Sequence, residues 1–282
     1  MLLQTSSRLL PNINTAVKLF LTGATVGPLI DTLHNQCLLE YTVLPIEVHF
    51  AFPANEVPPL IAFSASSSWL IPPLLGVSYV ILGGFLPRFM QAVVQSSSSS
   101  SSGSIPVASG VGKRQQLHEP IRKKLSLTAI IAVLSTAMII RLSEYLQTTY
   151  TASTNSEYAT YNLMIMFVLA LAQWMVLDRT PTALIAALIT SVGGPLCELP
   201  FIASGCWHYI PSAAEYYPLD RIIEFLGQYY YYNTNDSSVL SNLPLSSITA
   251  PCYFAVTTDA IAFGRWFDYD NDGRQTNRKE II

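Results

Sequence analysis

The stretch Thr160–Cys197 reads TYNLMIMFVLALAQWMVLDRTPTALIAALITSVGGPLC and holds two charged residues, Asp178 and Arg179, side by side. A hydrocarbon core of about 30 Å takes roughly 20 mostly apolar residues in an α-helix. Thr160–Leu177 meets that need without interruption. Thr180–Cys197 meets it again and continues past Glu198 to about Ile210. Asp178-Arg179 is then a very short turn between two membrane helices, directly after Trp174-Met175-Val176-Leu177.

Outward from this pair the same test finds more spans. Val57–Pro87 contains no charged residue, although Pro58-Pro59 and Pro72-Pro73 interrupt it. Leu125–Ile140 is apolar and extends past Arg141 to Leu146. Ile248–Phe267 holds one acid, Asp259, and one base, Arg265. Thr15–Ile30 contains Lys18 and is followed by Asp31. The expectation is an all-α polytopic membrane protein of six transmembrane helices.

Charge supports that count. With six spans, the termini and the even loops share one side. That side holds Arg8, Lys18, Arg88, Lys113, Arg114, Arg122, Lys123, Lys124, Arg179, Arg265, Arg274, Arg278 and Lys279, leaving only Arg141 and Arg221 of the 15 Lys and Arg for the other. Both termini are expected to be cytosolic. Charged residues make up 12% of the chain, about half the soluble norm of roughly 25%. A net charge of −3 gives no basic surface for nucleic acid. Cys37, Cys197, Cys206 and Cys252 form no C-x-x-C pair, which argues against a zinc site or a disulfide scaffold. The first thirty residues contain no acid, a composition that suits a transit peptide or, preferably, an uncleaved anchor that is simply the first helix.

The expected layout is a cytosolic N-terminus over residues 1–13, a membrane domain over 14–267 and a cytosolic tail over 268–282. Within it lie a flexible Ser-rich cytosolic loop at 88–124 and a long lumenal loop at 212–247, where Asp220–Tyr232 suits a short interfacial helix. Asp268, Asp270, Asp272 and Gly273 copy half of a calcium-binding loop. The twelfth position is Lys279 instead of glutamate, so these residues read as a solvated acidic tail. No metal and no cofactor are expected.

Catalytic patterns are absent. His34, His49, His118 and His208 form neither H-x-x-x-H nor H-E-x-x-H, and no G-x-S-x-G or phosphate-binding loop is present. An enzyme is not expected. Acids inside helices are costly and default to function, so Glu198 and Asp259 define an alternative: a small transporter or channel. Equally, both acids suit structural polar contacts with His34, Arg265 or each other.

Three places carry a family likeness. Ser68-Trp69-Leu70-Ile71-Pro72-Pro73, followed by Gly76 and Pro87, resembles the tryptophan–Val-Pro-Pro segment of the Insig (insulin-induced gene) family. Trp174-Met175-Val176-Leu177-Asp178-Arg179 resembles that family's turn after the fourth helix. Pro251-Cys252-Tyr253-Phe254, ending in Gly264-Arg265, resembles its sixth helix. The likeness implies an Insig-like bundle in the endoplasmic reticulum membrane that binds oxysterol or another lipid. It also implies partners with a sterol-sensing domain: the escort protein Scap, which carries SREBP transcription factors, and hydroxymethylglutaryl-CoA reductase. By the same likeness Asp178, with Arg179, maps onto the partner-binding turn. Trp174 maps onto the sterol site, where Tyr161 stands in place of the family's glutamine beside Asn162. Trp69, Pro72 and Pro73, with Gly76 and the small residues Ala65 to Ser68, would line a lipid cleft. Ala262-Phe263-Gly264-Arg265 is one residue shorter than the family motif, which marks a distant member.

Overall fold

In a computed structural model, residues 9–49, 64–98, 111–150, 156–210, 213 and 245–280 are described. Helix α1 (Ile13–Leu38) starts where the Asn12 side chain accepts a hydrogen bond from the Asn14 amide at 3.0 Å. It runs into β1 (Leu39–Tyr41), which pairs antiparallel with β4 (Trp207–Tyr209). A second small ladder joins β2 (Pro45–His49) to β3 (Ser64–Ser68), with Pro45 opposite Ser68. Helix α2 (Ile71–Tyr79) passes through a π-helical segment, Val80–Phe85, into α3 (Leu86–Ser98). Then come α4 (Val111–Tyr150), α5 (Ser156–Leu177), α6 (Pro181–Ala203) and α7 (Thr249–Glu280).

Among the described residues, five segments are long and apolar enough to cross a membrane: Ile13–Leu33, Ile71–Val94, Pro120–Thr148, Thr160–Leu177 and Pro181–Ala203. The sixth helix, α7, is too polar to pass that test, and its burial explains why it need not. From Leu245 to Gly264 every residue is buried except half-buried Tyr253 and Val256. A helix enclosed by protein has no lipid to satisfy, so its sequence is free to carry Thr257, Thr258 and Asp259. The outer helices show the opposite pattern, with Met138, Val168 and Val176 more than two-thirds exposed. Such apolar exposure suits lipid, not water.

Close packing fixes α7 in place. Gly83 in the π-helical segment and Gly264 in α7 meet backbone to backbone. A methyl group on Gly264 would overlap the Gly83 carbonyl, and one on Gly83 would overlap the Ala260 carbonyl. Ala260 and Gly264 thus form a small-x-x-x-small contact, which lets membrane helices approach closely.

Three expectations are corrected. The second span does not start at Val57: Ser64–Ser68 is a strand, and the helix begins at Ile71. The serine-rich stretch finds ladder partners in β2. Pro72 and Pro73 then open α2, where a missing N–H costs nothing. The loop expected over 88–124 is helical over 88–98 and 111–124, as parts of α3 and α4; the intervening residues lie outside the described ones. The acidic run after Phe267 is no solvated tail, because α7 continues through it to Glu280. Asp268 accepts from Thr15 at 2.8 Å and pairs with Arg88, while Asp270 pairs with Lys18 at 2.8 Å. The lumenal loop over 212–247, with the helix expected at Asp220–Tyr232, falls almost wholly outside the described residues.

Both termini of the bundle lie at one end. Bonds from Thr15 and Lys18, near the start of α1, to Asp268 and Asp270, in the second half of α7, fix this. An even number of crossings is the result.

Candidate functional site: a lateral groove and a charged hairpin

Helices α4 and α5 leave a groove of about 460 Å³ between them, lined from α4 by Ile131, Ser135, Met138, Ile139, Arg141 and Leu142. From α5 come Leu169, Ala172, Gln173, Val176 and Leu177. Its wall is mostly apolar, with Ser135, Arg141 and Gln173 as the polar members of the lining. Gln173 is 6% exposed, and its Nε2 donates to Thr136 Oγ1 at 2.8 Å and Ser135 Oγ at 2.9 Å. Its Oε1 is buried without a hydrogen-bond partner. An unmet buried acceptor costs about 1–3 kcal/mol. A ligand hydroxyl reaching it would recover that cost.

The α5–α6 hairpin closes the same end of the bundle. Asp178 Oδ1 accepts from the Thr180 amide at 2.9 Å and from the Thr180 hydroxyl. Its Oδ2 pairs with Arg265 Nη1 of α7 at 2.5 Å, and the Asp178 side chain is only 5% exposed. Arg265 Nη2 donates to Thr180 Oγ1 at 3.0 Å. Thr180 in turn caps α6, accepting from the Ala183 amide. Arg179 takes up the left-handed conformation at φ 63° that ends α5, and its guanidinium returns to the Met175 carbonyl. Asp178 is therefore the pin that holds a non-glycine turn against the central helix.

At the opposite end Glu198 and Asp31 line a cavity of about 80 Å³ with Asn35, Tyr79, Tyr209 and Tyr253. Tyr209 donates to Glu198 Oε2 at 2.7 Å and Tyr253 to Oε1 at 2.6 Å. Asn35 Nδ2 donates to Asp31 at 2.6 Å, and Tyr41 reaches the same oxygen at 3.1 Å. Burial first, then the neighbouring carboxylates, pushes the Tyr41 and Tyr209 phenols up from their ordinary range, so both remain donors. Asp259 stands apart, mid-helix and fully buried, accepting from Tyr79 at 2.8 Å. Phenols take the place expected for a pairing of Glu198 with Asp259, and Arg265 is taken by Asp178, while the His34 side chain lies outside what is described. Among the described residues no cluster of ligating side chains suits a metal.

The residues singled out for lipid do not converge. Trp174 packs away from the groove, against Ala170, Ala187, Phe254 and Ile261, and its indole N–H donates to the Thr180 carbonyl at 3.1 Å. Tyr161 is 60% exposed and lies thirteen positions earlier on α5, about 20 Å away along the axis. Trp69 is 66% exposed before α2, and Pro72 and Pro73 belong to its first turn. Sequence reasoning passed over Gln173 beside Trp174. Its signal was an amide in the middle of an apolar run, eleven positions after Asn162 near the start of the span. It also passed over Asn35, whose four-residue spacing from Asp31 places both on one helix face.

Residues 14–255 match the family model described as insulin-induced protein (INSIG). This chain belongs to the INSIG family. Two solved structures share its fold. One is of MvINS, a mycobacterial Insig homolog from Mycobacterium vanbaalenii, at 18% identity and TM-score 0.50, covering 90% of this chain and 94% of that one. The other is a cross-linked MvINS trimer, at 17% identity and TM-score 0.52, covering 92% and 96%. No curated protein matches. In this INSIG protein the family-like segments lie at three places: Trp69 to Pro73 leads into α2, Trp174 to Arg179 ends α5 and forms the hairpin turn, and Pro251 to Arg265 lies in the buried helix α7.

Proposed function

We propose that this INSIG protein is a non-enzymatic regulator in the endoplasmic reticulum membrane, with both termini cytosolic. It binds an oxysterol or a similar hydroxyl-bearing lipid and retains membrane partners that carry a sterol-sensing domain. The observation that carries this reading is the α4–α5 groove, largely apolar and lined in part by Gln173, whose Oε1 has no hydrogen-bond partner. A rigid apolar ring system with one hydroxyl matches that combination. The hairpin supplies the second half. Asp178, pinned by Arg265, sets the shape of a turn that presents Arg179 at the surface. Leu177 lines the groove one residue before Asp178, so lipid and partner act on one segment and favour each other's binding reciprocally. Trp174 serves by packing the hairpin to α6 and α7.

The test is capture of sterol-sensing membrane partners with and without added oxysterol. Wild type is compared with Asp178→Ala, Trp174→Ala and Gln173→Leu. Sterol-dependent capture should be lost in all three, with Gln173→Leu losing the sterol dependence first. Capture unchanged across proteins and conditions would contradict the reading.

A further inference from the structure

A third pocket, of about 420 Å³, opens at the Asp178 end between α1, α4 and α7. It is separate from the α4–α5 groove and shares no residue with it. Its lining is Lys18 from α1, Arg122, Lys123 and Ser126 from α4, and Trp266, Phe267 and Asp270 from α7. Three cations against one carboxylate make the lining net positive by two charges.

The arrangement is built into the packing. Asp270, with a side chain 12% exposed, pairs with Lys18 at 2.8 Å and reaches Arg122 at 3.7 Å, so one carboxylate positions two cations from different helices. Lys18 also takes the Asn271 amide oxygen at 3.2 Å and lies 5.5 Å above the Phe267 ring. Trp266 lies beside Phe267, ring centroids 5.1 Å apart and planes tilted by 32°, and continues this aromatic floor.

Its depth is that of a membrane boundary. Arg122 and Lys123 stand at the start of the Pro120–Thr148 span, and Lys18 lies in the first turns of Ile13–Leu33. Headgroup phosphates lie at that level, and tryptophan is favoured there. Basic pockets between membrane helices take anionic head groups. A guanidinium presents the fork that matches phosphoryl oxygens.

We infer that the Lys18–Arg122–Lys123 pocket binds the phosphoryl group of an anionic phospholipid, with Trp266 and Phe267 against the glycerol and upper acyl region. This is independent of the oxysterol reading, since neither Gln173 nor Asp178 takes part.

The test uses the full chain in nanodiscs of phosphatidylcholine with increasing phosphatidic acid. Thermal melting and native mass spectrometry count retained lipid. Wild type should melt higher as phosphatidic acid rises and retain it over phosphatidylcholine. Arg122→Gln with Lys123→Gln should weaken that preference by about tenfold or more, while melting in pure phosphatidylcholine stays near wild type. A charge-matched control, Lys113→Gln with Lys124→Gln, should keep the preference. An equal loss in both double variants would show diffuse surface attraction and overturn the pocket. Millimolar inorganic phosphate added to the lipid-poor protein should give no comparable rise in melting. A rise lost in the Arg122/Lys123 variant would assign the site to free phosphate and overturn the lipid. No preference in wild type would overturn the site altogether.

Discussion

The two ends of the bundle solve the same electrostatic problem in different ways. At the Asp178 end the carboxylates meet cations: Asp178 meets Arg265, Asp268 meets Arg88, and Asp270 meets Lys18. At the Glu198 end the two carboxylates lining the small cavity meet neutral donors: Tyr209 and Tyr253 on Glu198, Asn35 and Tyr41 on Asp31. Arg141 is at that end too, but pairs with Glu144 on its own helix. Desolvating an ion pair is expensive in an apolar interior. Salt bridges therefore suit the boundary, where water and headgroups repay part of that cost, whereas phenols suit an enclosed pocket. The partners at both ends reach α7, through Tyr253 near its start and Arg265 to Asp270 just past its middle. The central helix is what the two ends hold in common.

Substitutions should separate the shared element from each end. The largest effect is expected between the ends, at Gly264. Gly264→Leu forces α7 away from Gly83, and the penalty should exceed the ~3 kcal/mol usual for overpacking, seen as loss of a monodisperse peak in size exclusion. Next comes Arg265→Ala, which leaves Asp178 buried beside Thr180 without its cation. A loss on the order of 3 kcal/mol should appear as a lower melting temperature, with Arg265→Ala plus Asp178→Asn recovering part of it. Tyr253→Phe removes one of two phenols on Glu198 and should cost about 1–3 kcal/mol. High salt should leave that cost unchanged, while it should shrink the difference made by exposed pairs at the other end. Smallest is Val168→Leu on the lipid-facing side of α5, expected within about 0.5 kcal/mol of wild type. A large effect there would mean that this face packs on protein.

The comparison also explains what was legible from the chain alone. Apolar length marked Thr160–Leu177 and Thr180–Cys197 because both helices face lipid over much of their surface. The turn between them followed from a single charge pair. Hydropathy located α7 as a span but said nothing of its central place. Thr257 and Thr258 bond to carbonyls four positions back on the same helix, but the donor to Asp259 is Tyr79, 180 positions away. No local pattern encodes such a bond. The same holds for Asp268 and Asp270, which look like solvated acids until α1 is folded beside them. Ser64–Ser68 misled for another reason: a charge-free serine stretch satisfies a hydropathy count as readily as it satisfies a β-ladder. In the groove, the family likeness pointed to Trp174, yet the neighbouring amide of Gln173 is the group that faces α4. One residue on a helix turns a side chain by about 100°, which is the difference between lining the groove and packing the hairpin.

Direct binding of a labelled oxysterol to the purified protein, with Gln173→Leu and Glu198→Gln beside wild type, tests the central claim most directly. Saturable binding that falls about tenfold in Gln173→Leu, the equivalent of one lost hydrogen bond of about 1.4 kcal/mol, and persists in Glu198→Gln is the predicted result. Binding that is absent, or that survives Gln173→Leu and is lost in Glu198→Gln, would contradict the assignment of the α4–α5 groove.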